Sequence, residues 1–164
     1  MIQVTGVGRY EIARRGGDRL AIITNGGGMG VLATDELLLQ GGRLAVLSEE
    51  AIAALNAVLP SIWSKRNPVD IIGDAPPERL DASIRVLLDH ASDFDALLIL
   101  NCPTAVASAR DCAQAVVAAT QHARARVPIL TAWVGEETAR HGRQLLNEAG
   151  IATYDTPGHA VNAF

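Results

Sequence analysis

The sequence is poor in aromatic residues and in cysteine. Phe, Trp and Tyr make up 4% of its 164 residues while hydrophobic residues as a group reach 49%, so Ala, Leu, Ile and Val must supply the core. That composition is typical of helices packed on a buried parallel sheet. The two cysteines, Cys102 and Cys112, are too few for a disulfide framework or a cysteine-rich zinc site. The length suits one domain with a substantial core.

An excess of positive charge and long hydrophobic runs are also missing. The formal net charge is -4, whereas a nucleic-acid-binding protein needs a basic surface. No apolar run approaches the ~20 residues of a membrane span, and the N-terminus lacks the apolar region of a signal peptide. We therefore predict a cytoplasmic protein that binds neither nucleic acid nor a membrane. The four histidines form no H-x-x-x-H pair and indicate no metal site: His90, His122, His141 and His159.

Strands and helices alternate from residue 19 onward. Apolar runs predict five strands, at Leu20–Ile23, Arg43–Leu47, Asp95–Leu100, Val127–Val134 and Ile151–Tyr154, and helical periodicity predicts a helix after each, including one over Ser108–Arg126. The alternation predicts an α/β fold, a flavodoxin-like three-layer α/β/α sandwich whose five-stranded parallel sheet has the order 2-1-3-4-5. Residues 1–18 lack this periodicity and are predicted to be an N-terminal arm or linker, with the domain at 19–164.

A glycine-rich turn follows the first predicted strand. It comprises Asn25, Gly26, Gly27, Gly28, Met29 and Gly30, and a helical pattern then runs to Gly41. Free backbone N–H groups and the helix dipole favour an anion at such a helix start. No Lys-Ser/Thr pair follows the glycines, so the turn is not a Walker loop, and the third glycine of a dinucleotide fingerprint is missing. A phosphate or phosphoryl site and an ordinary tight strand-to-helix turn both remain open.

Polar residues elsewhere are predicted to lie near this turn. The strand order places a crevice at the carboxyl ends of the first and third strands, so the loop from Asn101 to Thr104 should face the glycine turn. Cys102 lies in that loop, and without a nearby His or Lys to lower its pKa we expect an inert thiol rather than a nucleophile.

The segment from Pro60 to Pro77 is predicted to be a long irregular but ordered loop, because its apolar residues require burial. Its candidate supporting residues are Asn67, Asp70, Gly73 and Asp74, of which Asp70 and Asp74 are the stronger polar candidates. They either make turns through their own backbone or orient the glycine turn or a loop of a partner, and the sequence leaves both explanations open.

Several stretches together resemble the NDP-forming acyl-CoA synthetases. They are RLAIITNGGGMGVLATDEL, NPVDIIGDAPPERL, DALLILNCP, PILTAWVGEE and GIATYDTPGHAVNAF. The chain is similar to the second flavodoxin-like, ligase-CoA module of ADP-forming acetate–CoA ligases over roughly Arg19 to Phe164. It also resembles the same module in acyl-CoA synthetase-like protein lysine acetyltransferases and, more distantly, the C-terminal domain of the succinyl-CoA synthetase β subunit.

The resemblance implies a part in acid–CoA ligation. In that scheme an acid, CoA and Mg-ATP give acyl-CoA, ADP and phosphate through an acyl phosphate and a phosphohistidine. A neighbouring module carries the phosphohistidine, and this module stabilises it with the helix that opens at Gly26 to Gly30. The resemblance assigns no cofactor to this module alone, and CoA and Mg-ATP belong to the complete enzyme.

The complete enzymes also contain CoA-binding, histidine-bearing and ATP-grasp domains. A chain of 164 residues has no room for them, so the resemblance implies that they reside on the same parent chain or on a partner, and that the isolated chain is inactive. Homo-oligomerisation stays open. Two alternatives remain: a regulatory or binding module of an acetyltransferase of this type, and a free-standing flavodoxin-like binder of flavin or nucleotide.

Overall fold

The computed structural model describes residues 17–121 and 127–164. Six parallel strands form one sheet: β1 (Arg19–Thr24), β2 (Arg43–Leu44), β3 (Val69–Asp70), β4 (Ala96–Asn101), β5 (Ile129–Trp133) and β6 (Ala152–Tyr154). The described α-helices are α1 (Gly27–Leu39), α2 (Glu49–Val58), α3 (Pro77–Asp89), α4 (Ala109–Gln121), α5 (Glu137–Glu148) and α6 (Pro157–Ala163), and a single 3₁₀ turn covers Ala91–Asp93.

The predicted fold class is confirmed, with one strand added. The main path of the sheet is β2-β1-β4-β5-β6, and this is the predicted order 2-1-3-4-5 once β3 is set aside. The prediction of an irregular segment from Pro60 to Pro77 is wrong at one point, because β3 lies inside it and pairs with the end of β1. The second strand was also predicted too long: β2 ends at Leu44 and not at Leu47. Residues 1–16, most of the predicted arm, and the end of the helix predicted to reach Arg126, with His122, lie outside the described residues.

Helices cover both faces of the sheet because the central strands are apolar on both sides. In β1, Leu20 and Ile22 pack into one core cluster with α1 and α6. Ala21 and Ile23, the alternate residues of the same strand, pack into a second cluster with the other helices. Successive side chains of a strand point to opposite faces, so one buried strand supplies both cores.

The side chain of Asn67 fills a gap in the sheet. β2 pairs with β1 only at Arg19 and Leu20, and β3 pairs with it only at Ile23 and Thr24. Between these pairs, Asn67 Oδ1 accepts a hydrogen bond from Ile22 N at 2.9 Å. Its Nδ2 donates to the carbonyls of Leu20 at 2.8 Å and Ala45 at 3.0 Å. One amide thus replaces the missing stretch of neighbouring strand, because buried backbone groups need partners.

Candidate functional site

The glycine turn forms the start of α1. Gly26 is the N-cap, in an extended conformation, and no side chain caps the helix. The Gly26 N–H donates to Thr24 Oγ1 at 3.0 Å. The amides of Met29 and Gly30 donate to the Gly26 carbonyl at 2.9 and 3.3 Å. Three of the predicted phosphate-binding residues therefore already use their N–H groups within the domain.

The amides of Gly27 and Gly28 remain free. Neither donates a hydrogen bond to any residue in the described ranges, and both glycines are exposed. The first turn of α1 contains no acidic residue. The positive end of the helix dipole and two unpaired donors therefore face outward together, and this arrangement favours an anion.

The asparagine of the turn holds two loops together. Asn25 Oδ1 accepts from the Cys102 N–H at 2.7 Å, and its Nδ2 donates to the Cys102 carbonyl at 3.0 Å and lies 3.5 Å from Asn101 Oδ1. Asn25 and Asn101 are both buried. The glycine turn and the loop after β4 thus lie side by side, as the strand order requires. Asn25 and Asn101 position the site, because their side chains are occupied within the domain.

Close approach explains two of the glycines. A β-carbon at Gly26 would lie 2.6 Å from Cys102 Sγ, and one at Gly27 would lie 2.7 Å from Asp70 Oδ2. These distances are too short for any side chain to be added without a shift. A β-carbon at Gly28, by contrast, meets no atom within 4 Å. The open side of the helix start is therefore the side of Gly28.

The loop that contains β3 lies against the same turn. Asp70 Oδ1 accepts from the Ile72 N–H at 2.9 Å, a local turn of the kind predicted for Asp and Asn. Its other oxygen, Oδ2, lies beside Gly27. A β-carbon at Gly73 would lie 3.6 Å from the Asn25 carbonyl oxygen, so Gly73 also adjoins the turn. Asp70 therefore makes the local turn predicted for it and also lies next to the glycines.

Asp74 has a different role from the other loop candidates. Its Oδ1 forms an ion pair with Arg79 Nη1 at 2.6 Å, and the same nitrogen donates to the Ile71 carbonyl at 3.1 Å. The pair joins the loop to the first turns of α3. Asp74 therefore helps to fix the loop against α3.

A cleft of about 290 Å³ lies beside the first turns of α1. Gly27 and Asp70 contribute to its wall, as do Ser64 and Arg66 from the loop. The sequence pattern did not indicate Arg66, Ser64 or Thr24 as site residues. Thr24 was detectable in principle, because a threonine that ends a strand before glycines commonly bonds to the backbone two residues on. Arg66 brings a positive charge to the wall of the cleft, and Asp35 and Asp70 bring negative charges to it.

Cys102 should be slow to alkylate at neutral pH. Burial raises the pKa of its thiol, and the negative charge of Asp70 raises that pKa further. Because the thiolate is the reactive form, the rate of iodoacetamide labelling should stay low near pH 7 and rise only at alkaline pH. Asp70→Asn removes the charge and should shift this pH profile downward.

The control is Cys112, whose pKa burial raises to about 11. Peptide mass spectrometry separates the two cysteines, and Cys112 should label more slowly than Cys102 and be unaffected by Asp70→Asn. Rapid labelling of Cys102 at pH 7 would show that the thiol is activated and not inert.

The described residues hold no metal-binding group of three or more His, Cys, Asp or Glu side chains. No helix in the described part of the chain is long and apolar enough to cross a membrane. His159 lies in the first turn of α6, where its N–H donates to Thr156 Oγ1 at 3.2 Å, and it is not among the residues that line the cleft.

Comparison with known proteins agrees with the resemblance noted in the sequence. The Ligase-CoA domain family matches residues 20–162. The α subunit of acetate–CoA ligase (ADP-forming) I from Pyrococcus furiosus is 36% identical over 147 residues, which cover 90% of this chain and 31% of the relative. Acetate–CoA ligase (ADP-forming) I from Archaeoglobus fulgidus is 33% identical over 144 residues, which cover 88% of this chain and 20% of the relative.

Solved structures show the same likeness. The dinucleotide-forming acetyl-coenzyme A synthetase 1 of Candidatus Korarchaeum cryptofilum superposes with a TM-score of 0.84 at 34% identity, over 90% of this chain and 32% of that one. The same enzyme has been solved in complex with phosphate and ADP. The chain thus spans a third or less of the length of these relatives. The match over nearly all of the described domain shows that the chain belongs to the Ligase-CoA domain family.

Proposed function

We propose that the chain is a module of an ADP-forming acyl-CoA synthetase, in which the start of α1 stabilises a phosphohistidine or phosphoryl intermediate. The observation that carries the proposal is the pair of free, exposed amides at Gly27 and Gly28. The relatives are ADP-forming acetate–CoA ligases, and phosphoryl transfer to ADP or from ATP requires a site for a multiply charged phosphoryl group.

Backbone N–H donors are well suited to binding a phosphoryl group. A phosphoryl group that is transferred intact needs positioning and charge stabilisation more than a base, and preorganised N–H groups at a helix start supply both. The carboxylate of Asp70 lies on the Gly27 side of the helix start and would repel a phosphoryl group there. The group therefore approaches on the open side, at Gly28.

Other modules complete the enzyme. The histidine that carries the phosphoryl group, the CoA-binding domain and the ATP-grasp domain that binds Mg-ATP reside elsewhere on the parent chain or on a partner. The described residues offer no phosphate-binding P-loop and no activated nucleophile. This module contributes half of a site that forms at a domain interface.

The isolated chain should therefore make no acyl-CoA when it is supplied with an organic acid, CoA and Mg-ATP. The full-length parent protein, assayed under the same conditions, should make acyl-CoA and ADP. Turnover by the isolated chain above the enzyme-free background would contradict the proposal. So would a folded parent protein that makes no acyl-CoA from any of a panel of short-chain acids.

A further inference from the structure

The first turn of α1 has little conformational restraint of its own. Gly26, Gly27 and Gly28 are three consecutive glycines, and glycine has more backbone freedom than any other residue. The N-cap residue Gly26 has no side chain that could cap the helix. Donors that stabilise a charge are effective when their direction is fixed before the charge arrives. A group outside the three glycines is therefore needed to hold the two free amides in one direction.

The side-chain hydroxyl of Thr24 forms two hydrogen bonds with Gly26. Its Oγ1 accepts from the Gly26 N–H at 3.0 Å and donates to the Gly26 carbonyl at 3.0 Å. Thr24 is fully buried. Because a hydroxyl has a single proton to donate, that proton is committed to the Gly26 carbonyl. Both backbone polar groups of the N-cap residue are thus bound to one side chain.

Thr24 is itself anchored in the sheet. It is the last residue of β1, and it pairs with Asp70 of β3 on one side and with Leu100 of β4 on the other. Its carbonyl accepts from the Ile71 N–H at 2.9 Å. Its methyl group lies under α1, because a β-carbon added at Gly30 would be 3.3 Å from Thr24 Cγ2. The Thr24 hydroxyl therefore connects the start of α1 to a rigid strand.

The bond to the Gly26 carbonyl also sets the direction of the Gly27 N–H. These two groups belong to the same peptide unit, which is planar and trans, so they point in opposite directions. The amides of Met29 and Gly30 also donate to this carbonyl, but they belong to the same turn and move with it. The Thr24 hydroxyl is fixed to the sheet instead, so it orients the peptide unit relative to the rest of the domain.

We propose that Thr24 is a positioning residue for phosphoryl binding, an inference that rests on the proposed function. Its hydroxyl holds the peptide unit between Gly26 and Gly27 in one orientation. The N–H groups of Gly27 and Gly28 then face outward before the phosphoryl group arrives. Thr24 acts through these amides and does not touch the phosphoryl group, because it is buried and its O–H is donated to Gly26.

Backbone ¹⁵N relaxation of the 164-residue chain measures this restraint without any phosphoryl chemistry. The order parameters of Gly27 and Gly28 should be about 0.85 in the wild type, as in rigid backbone, and below about 0.6 in Thr24→Val. Valine keeps the branched shape of threonine and removes the hydroxyl. Thr24→Ser keeps the hydroxyl and should therefore retain the order parameters of the wild type.

The rate of phosphohistidine formation in the full-length protein measures the consequence for the reaction. Thr24→Val should slow it by about 10- to 100-fold, a loss of the size that a small misplacement causes. Thr24→Ser should restore the wild-type rate.

Thr131→Val is the matched control. Thr131 is also fully buried, and its hydroxyl donates to the Ala152 carbonyl at 3.0 Å, but it lies on β5 and not at the glycine turn. The control should lower the melting temperature and leave the rate of phosphohistidine formation unchanged.

Unchanged order parameters or an unchanged rate in Thr24→Val would overturn the inference. An equal loss of rate in Thr131→Val would also overturn it, because the rate would then follow the stability of the domain and not the orientation of the amides. A wild-type parent protein that forms no phosphoenzyme would overturn the proposed function. The order parameters would still decide whether Thr24 fixes the amides of Gly27 and Gly28.

Discussion

Gly28→Val in the full-length protein should slow formation of the phosphoenzyme by about 10²–10³-fold, because the added side chain keeps the phosphoryl group away from the backbone N–H donors, with a loss like that of a missing charge-stabilising donor. A side chain at Gly28 meets no protein atom within 4 Å, so it extends into the open space where the phosphoryl group is proposed to lie. The domain itself should stay folded, because Gly28 lies in the regular helix α1. Rapid-quench measurement of labelled phosphohistidine gives the rate, and thermal unfolding gives the stability.

Gly158→Val is the matched control for this substitution. Gly158 is the second residue of α6, as Gly28 is of α1, and a β-carbon there comes no closer than 3.9 Å to Glu36 Cγ. The control should leave the phosphorylation rate unchanged. A Gly28→Val enzyme that forms phosphohistidine at the wild-type rate would place the phosphoryl site elsewhere.

Asn67→Ala should lower the free energy of unfolding by about 3 kcal/mol, because it removes three hydrogen bonds and leaves the buried Ile22 N–H without a partner. The three hydrogen bonds that are lost run to Ile22 N, Leu20 O and Ala45 O. All three atoms lie in or beside the β1 edge between β2 and β3, where the short strands leave no other backbone partner for Ile22 N. Urea denaturation of the wild type and the variant measures the difference.

Asn147→Ala is the control, because it also removes a side-chain amide but at an exposed position. Asn147 is exposed near the end of α5, so Asn147→Ala should change the free energy of unfolding by less than about 0.5 kcal/mol. If Asn67→Ala costs no more than the control, the Asn67 side chain does not substitute for a strand in solution.

The sequence predicts the central sheet well because β1, β4 and β5 are local apolar runs. A run such as Ala96–Asn101, buried along its whole length, needs no distant information to be recognised as a strand between two helical layers. The short strands are different. β3 has two residues and exists because Val69 and Asp70 meet the end of β1, a contact 46 residues away in sequence. β2 stops at Leu44, where the Asn67 side chain takes over the edge of β1, and no local pattern reveals that exchange.

The candidate site, too, is only partly predictable from local sequence. Glycines between a strand and a helix indicate an open helix start from sequence alone. Which amides stay free depends on contacts that the local pattern does not contain: the Thr24 hydroxyl takes the Gly26 N–H, and the Gly26 carbonyl takes the amides of Met29 and Gly30. Asn25 looked like a ligand in the sequence, yet its amide binds Cys102, 77 residues away.

The position of the phosphoryl group in the intact enzyme tests the central claim most directly. A crystal structure of the full-length protein, or of its complex, trapped with the histidine phosphorylated would measure it. The structure should show phosphoryl oxygens about 3 Å from the backbone nitrogens of Gly27 and Gly28, the ordinary length of such a hydrogen bond. A phosphohistidine ordered elsewhere, with those two amides facing solvent, would contradict the account.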